Sequence, residues 1–212
     1  MELATQTRWN WRFRWRTLWH RRKFAAVGRG TCFSGRRLES KGVVRFGQHC
    51  WVGEGVVLRA QRGGGLHFGD GAVLGDHVII QCDTPLHVGA GAYIGAFTVL
   101  RDTHHMLWGT DLHWRLAPHY SEPIVVEAGA YVGAQCYIGP GIQIGEGALI
   151  GPGSIVAKPV GAYEIWAGRP ATFLGRRDTQ QLETQRRRQL DLVAMFGVQP
   201  DAAAASHAPP PS

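Results

Sequence analysis

A single periodicity constrains this chain more than any other feature. An apolar marker returns every sixth position in five triplets: Phe46, Val52, Leu58; Phe68, Leu74, Ile80; Val88, Ile94, Leu100; Val126, Val132, Ile138; and Ile144, Ile150, Val156. Glycine usually follows the marker, as at Gly53, Gly75, Gly95 and Gly133, and a small residue often stands four places on, as at Cys50, Ala72, Ala130 and Cys136. A half-buried strand alternates with period two and an amphipathic helix with a period near 3.6, so neither accounts for six. A short strand and a turn, repeated, does account for it, with one apolar side chain per strand pointing inward. Three such sides close a triangular coil, and stacked coils bury a ladder of apolar side chains on the axis. The expectation is an all-β parallel β-helix of about five coils.

The rhythm breaks once on a large scale. Leu58 to Phe68 is ten residues and Ile80 to Val88 eight, which are small corner insertions, but Leu100 to Val126 is twenty-six. The excess reads VLRDTHHMLWGTDLHW at its start, with three histidines, two tryptophans and two aspartates. It is expected to be a loop, residues 101–125, thrown out from one corner. Long loops on rigid scaffolds usually carry function.

The stretch YVGAQCYIGPGIQIGEGALIGPGSIVAKPV, followed by AGRPATFLGRR, resembles the hexapeptide-repeat acyltransferases. The resemblance covers residues 43–177 and is nearest to the sugar O-acetyltransferase branch, which includes the maltose and galactoside acetyltransferases. It implies a left-handed parallel β-helix, a homotrimer, acetyl-CoA as cosubstrate with no metal, and a sugar or surface-polysaccharide precursor as acceptor. It also implies that a histidine opening the loop is the general base. Imidazole suits that task, because its pKa near 6.5 lets it take a proton at neutral pH and return it. His105 is the first candidate and His104 the second; Asp102 either orients the imidazole or forms the turn. Asp83, one coil earlier, together with Trp108, Asp111, His113 and Trp114, is expected to face the acceptor, with the tryptophans equally able to pack the loop onto a neighbouring subunit. For the coenzyme, the resemblance points to Ala134 near the thioester, Gly151 and Pro152 along the pantetheine arm, and Lys158, Arg169, Arg176 and Arg177 near the phosphates. Two residues depart from the family pattern: Tyr131 stands where tryptophan is usual, and Ala157 where threonine commonly precedes the lysine.

Amino-sugar N-acetylation is the alternative reaction, and a non-enzymatic β-helix scaffold the alternative class. Zinc-dependent carbonic anhydrases of the same fold need two metal-binding histidines four residues apart, and the histidines at 49, 67, 77, 87, 104, 105, 113 and 119 contain no such pair. The four cysteines, Cys32, Cys50, Cys82 and Cys136, lack zinc spacing and are expected to be reduced thiols.

The net charge of +7 resides at the ends, since residues 46–160 carry five basic side chains against nine acidic ones. Residues 1–42 form a basic, aromatic segment in which Trp11, Trp15, Leu18 and Trp19 fall on one helical stripe. The stripe is expected to cap the first coil. With so many arginines, residues 8–23 also suit an anionic membrane surface. No recognised nucleic-acid module accompanies them. The basic start leads into no apolar run of the kind a secretory signal needs, so the expected location is cytoplasmic, with attachment at the inner membrane face as an option. The β-helix is expected over 43–175, a C-terminal helix over 176–197 capped by Asp178, and a disordered Ala/Pro-rich tail over 198–212.

Overall fold

A computed structural model describes residues 17–106, 113 and 116–177. The chain divides into two units, Met1–Arg176 and Arg177–Ser212, and the description below concerns the first. Its strands are short and follow one another around three faces. The first coil is Ala26–Val27, Cys32–Phe33 and Leu38–Lys41 (β1 to β3), and the second is Val43–Phe46, Trp51–Val52 and Val56–Ala60 (β4 to β6). Gly65–Phe68, Val73–Leu74 and Ile79–Cys82 (β7 to β9) make the third, and Leu86–Val88, Tyr93–Ile94 and Val99–Arg101 (β10 to β12) the fourth. A hairpin, Thr103–His105 and His119–Ser121 (β13 and β14), interrupts the winding. The fifth coil is Val125–Val126, Tyr131–Val132 and Tyr137–Ile138 (β15 to β17), and the sixth Gln143–Ile144, Leu149–Ile150 and Ile155–Val156 (β18 to β20). Val160 bridges to Ile144, and Glu164–Gly168 (β21) adds to face two before Ala171–Arg176 (β22) folds back antiparallel on it.

Within each face the coils pair in parallel, and the register superposes the hexad markers. Phe46 pairs with Phe68 on face one, Ile94 with Val132 on face two, and Leu100 with Ile138 on face three. These markers are almost all shielded from solvent, so the axis is a continuous apolar ladder. The small residues that follow them, Cys50, Ala72, Ala92, Ala130, Cys136 and Ala148, are also buried, because the corner leaves no room for more. The four cysteines are free thiols. At the second corner the chain must adopt positive φ, and it does so at Gly55, His77, Phe97, Gln135 and Gly153. Glycine reaches that region without cost, whereas Phe97 and His77 take it up with their rings stacked at 4.9 Å.

The left-handed β-helix is therefore present, but the coil count of five needs correction. The described residues make six complete coils and begin a seventh, and the winding starts at Ala26, not at residue 43. The first coil is masked in the sequence because Ser40 takes the register of Leu58 on its third side. The seventh is hidden because Val160 follows Val156 after a step of four positions instead of six.

The N-terminal helical turn, residues 17–21, does cap the first coil, yet not through Leu18 and Trp19; the other two members of the stripe, Trp11 and Trp15, lie outside the described residues. Thr17 (8% exposed) and His20 (1%) face inward, while Leu18 (59%) and Trp19 (60%) face outward. Thr17 Oγ1 accepts from the Phe33 amide, and Phe24 stacks on Phe33 at 5.1 Å and meets Phe46 edge-on. Phe24 closes the end of the ladder, which leaves Leu18 and Trp19 unused. At the other end Arg176 lies in β22, so it does not begin a helix; residues 178–212, with the expected helix and tail, lie outside the described residues.

Candidate active site at the third corner

The loop leaves the fourth coil at Asp102, whose carboxylate is fully buried. Its Oδ1 and Oδ2 accept from the Asp83 amide at 3.0 Å, Oδ2 from the Thr84 amide at 2.8 Å and the Thr84 hydroxyl at 2.6 Å, and Oδ1 from the Thr103 hydroxyl at 2.7 Å. Four donors fill the acceptor capacity of a carboxylate. Asp102 thus holds the preceding corner and the base of the hairpin; its bonds run to that corner and not to an imidazole, which corrects the orienting role considered for it. Its charge, with that of Asp83, also adds to burial in pushing the Cys82 thiol up to about 12.

The hairpin strand alternates its side chains, so the two neighbouring histidines point to different surroundings. His104 Nε2 lies 3.0 Å from the Tyr137 hydroxyl on the next coil. Burial raises the pKa of that phenol, with Arg101 opposing the rise, so the hydroxyl keeps its proton at neutral pH. His105 is exposed and sits beside His119, its partner across the hairpin, with ring centroids 5.7 Å apart. His119 Nε2 in turn lies 3.9 Å from Asp83 Oδ2, and Arg62 approaches the same oxygen at 3.6 Å. Asp83 is 13% exposed there, a carboxylate at the floor of the corner between an imidazole and a guanidinium.

Of the residues singled out from sequence, His104, His105, Asp102 and Asp83 share this corner. Tyr137, His119, Arg62 and Thr84 complete it. Tyr137 was within reach of a register count, since it stands one place before a hexad marker and pairs with Val99 at the loop exit. His113 is exposed, and Trp108, Asp111 and Trp114 lie outside the described residues. Lys158 is exposed at the same corner two coils further on.

Of the other coenzyme candidates, Arg176 lies at the far end of face two, and Ala134, Gly151, Pro152 and Arg169 lie at or beside the second corner. Ala134 and Pro152 stack there, with Gly153 donating to Ala134 O at 2.7 Å and Arg169 Nε donating to Gly153 O. One residue type matters at this position. Three coils earlier, the Glu54 amide is capped by the Asp76 carboxylate of the coil above at 2.7 Å. Above Ala134 stands Pro152, whose side chain has no acceptor. Arg176 is drawn to Glu164 at 3.3 Å, and Arg177 is exposed. Among the described residues, no group of three or more His, Cys, Asp or Glu side chains is arranged to hold a metal ion.

A profile of the bacterial transferase hexapeptide family (six repeats) matches residues 123–158. No curated protein sequence matches the chain. Among solved structures, the fold is similar to that of AntD, an N-acyltransferase from Bacillus cereus solved with dTDP and 3-hydroxybutyryl-CoA. The two are 16% identical over 83% of this chain and 95% of AntD, with a TM-score of 0.66. A point mutant of AntD solved with dTDP-4-amino-4,6-dideoxyglucose and coenzyme A gives 16% identity over 82% and 96%, with a TM-score of 0.59. A hexapeptide-repeat acetyltransferase from Vibrio cholerae, solved with acetyl coenzyme A, gives 20% identity over 84% of each chain, with a TM-score of 0.58. In repeat and in fold, the chain is a hexapeptide-repeat left-handed β-helix.

Proposed function

We propose that the chain is an acyltransferase that moves acetyl from acetyl-CoA to a hydroxyl of a sugar or surface-polysaccharide precursor. The observation that carries this reading is the hairpin, which at one corner of a hexapeptide solenoid sets His105 beside His119, itself facing the Asp83 carboxylate, and His104 against Tyr137. Similar folds hold coenzyme A or its thioesters in AntD and in the Vibrio cholerae acetyltransferase, which supports the choice of donor.

In this reading His105 is the base. The Tyr137 hydroxyl occupies Nε2 of His104, the ring atom farthest from the backbone, so His104 serves to lock the hairpin against the fifth coil. His105 takes the proton of the acceptor hydroxyl as its oxygen attacks the thioester carbon. When the C–S bond breaks, the imidazolium returns that proton to the leaving thiolate. His119, backed by Asp83, steadies the ring of His105. The Ala134 amide, with Pro152 above it, suits the oxyanion that forms during attack. Ala134 and His105 stand at opposite ends of the face-three strands of one chain. A site that uses both is completed by a second copy, as in a trimer whose second corner meets the third corner of its neighbour.

AntD, an N-acyltransferase solved in mutant form with a dTDP-linked amino sugar, favours a sugar amine as the second reading. The test is release of free CoA thiol with sugars bearing a hydroxyl or an amine at the acceptor position. His105→Ala is expected to lower turnover roughly a hundred- to ten-thousand-fold. His104→Ala and Tyr137→Phe are expected to cost about tenfold each, the worth of one orienting hydrogen bond. The reverse order would make His104 the base.

A further inference from the structure

The N-terminal turn inverts the usual rule of burial. A helix on a soluble protein turns its apolar stripe inward. Here Thr17 and His20 are buried, while Leu18 and Trp19, adjacent and both about 60% exposed, face out from the end of the solenoid. Thr17 is held by the Phe33 amide and His20 packs beside the Phe33 ring, while Phe24 covers Phe33 and Phe46, so Leu18 and Trp19 are left outside the core.

What surrounds the pair is cationic. Trp19 and Lys23 line a cleft of about 650 Å³ with Arg36 and Arg37, whose side chains are exposed. The Lys23 ammonium lies over the Trp19 ring at 4.5 Å and donates to Leu38 O at 3.2 Å, which fixes it at the cleft wall. Arg36 and Arg37 are presented by their backbone: both amides donate to the Glu54 carboxylate, at 2.6 and 2.9 Å, which leaves the guanidinium groups to project. The acidic residue lining the cleft, Glu39, is held by Arg59 at 2.8 Å and so does not neutralise them. The same composition continues in the preceding sequence, where residues 8–16 alternate arginine, and once asparagine, with tryptophan and phenylalanine.

We infer that this end of the solenoid docks on an anionic lipid surface. Leu18 and Trp19 would enter the headgroup–acyl boundary, and Lys23, Arg36 and Arg37 would meet lipid phosphates. Indole at the interface with basic side chains beside it is the pairing such surfaces select. Exposed arginines alone would suit any polyanion. An indole can stack on a base, but the exposed aliphatic Leu18 beside Trp19 is what a bilayer rewards and a nucleic acid or free phosphate does not. The inference is independent of the acyl-transfer reading, because Arg36 and Arg37 stand at the second corner of the first coil, four coils from Ala134, and Leu18, Trp19 and Lys23 precede that coil.

The test is co-sedimentation of the full chain with vesicles of phosphatidylcholine alone and with about one-third phosphatidylglycerol, at two salt concentrations. Binding is expected only to the anionic vesicles, weaker at high salt, and not displaced by excess inorganic phosphate. Arg36→Gln and Arg37→Gln should each weaken it roughly fivefold. Leu18→Ser with Trp19→Ser should weaken it by at least about tenfold while leaving the melting temperature unchanged, as both side chains are exposed. All these variants should still release CoA with a soluble acceptor as the parent chain does, so a failure of docking is separable from a failure of catalysis. Equal binding to neutral vesicles, displacement by phosphate, tighter binding to an RNA or DNA oligonucleotide, or full binding by a variant combining all four substitutions would overturn the inference.

Discussion

At the scale of single residues, burial decides chemistry that composition leaves open. The four cysteines have the same side chain, but Cys82 sits in the core against the charges of Asp102 and Asp83, and its thiol is pushed up to about 12. Cys50 and Cys136, packed into hexad corners, are raised as well, chiefly by burial. The native state therefore holds these protons after an unfolded chain has begun to lose them, near pH 8.5 to 9. Above that pH the unfolded form binds fewer protons, so stability falls with rising pH up to the folded pKa. We expect the melting temperature to decline steadily between about pH 9 and pH 12. The decline should be shallower in Cys82→Ala, whatever the absolute cost of the missing sulfur. Parallel slopes for the two proteins would show that Cys82 is not the group responsible. The pattern of small residues identified Cys50 and Cys136 as packing residues; the charge of Asp102 beside Cys82 could not be read, because that side chain is twenty places along.

At the scale of elements, the hairpin is defined by one clamp. Asp102 ties the exit of the fourth coil to residues 83–84 of the third, and the strand carrying His104 and His105 starts from it. Asp102→Asn would present an NH₂ to donors that now meet an oxygen, leaving at least one buried donor unpaired. A loss of about 3 kcal/mol in urea unfolding is expected, with turnover falling along with it as the hairpin loses its footing. Unaltered stability would mean that the corner does not depend on the carboxylate. The break in the six-residue rhythm was legible, and so were the histidines within it. The roles inside it were less so: Asp102 looked equally suited to orient an imidazole, and only the contacts of its two oxygens decide. The N-terminal turn misled for a related reason. Periodicity groups Leu18 and Trp19 as a buried stripe, but Phe24, outside that stripe, fills the end of the core first.

At the scale of the whole molecule, period six determined nearly everything about the scaffold. It follows from one apolar residue per side and a corner too tight for a large one, and the register of all three faces obeys it. The error was one of ends: Ser40 and the short step from Val156 to Val160 hide the outermost coils because end coils need not match the interior pattern. The scaffold in turn separates the proposed site into two corners, the imidazoles at the third and the Ala134 amide at the second. The most direct test of the central claim is a calorimetric titration of acetyl-CoA into the purified full chain, beside its His105→Ala variant. Micromolar binding by both proteins, with acetyl transfer by the parent alone, is the result this account predicts. Binding by neither protein would contradict it and leave the solenoid as a scaffold without acyl-transfer chemistry.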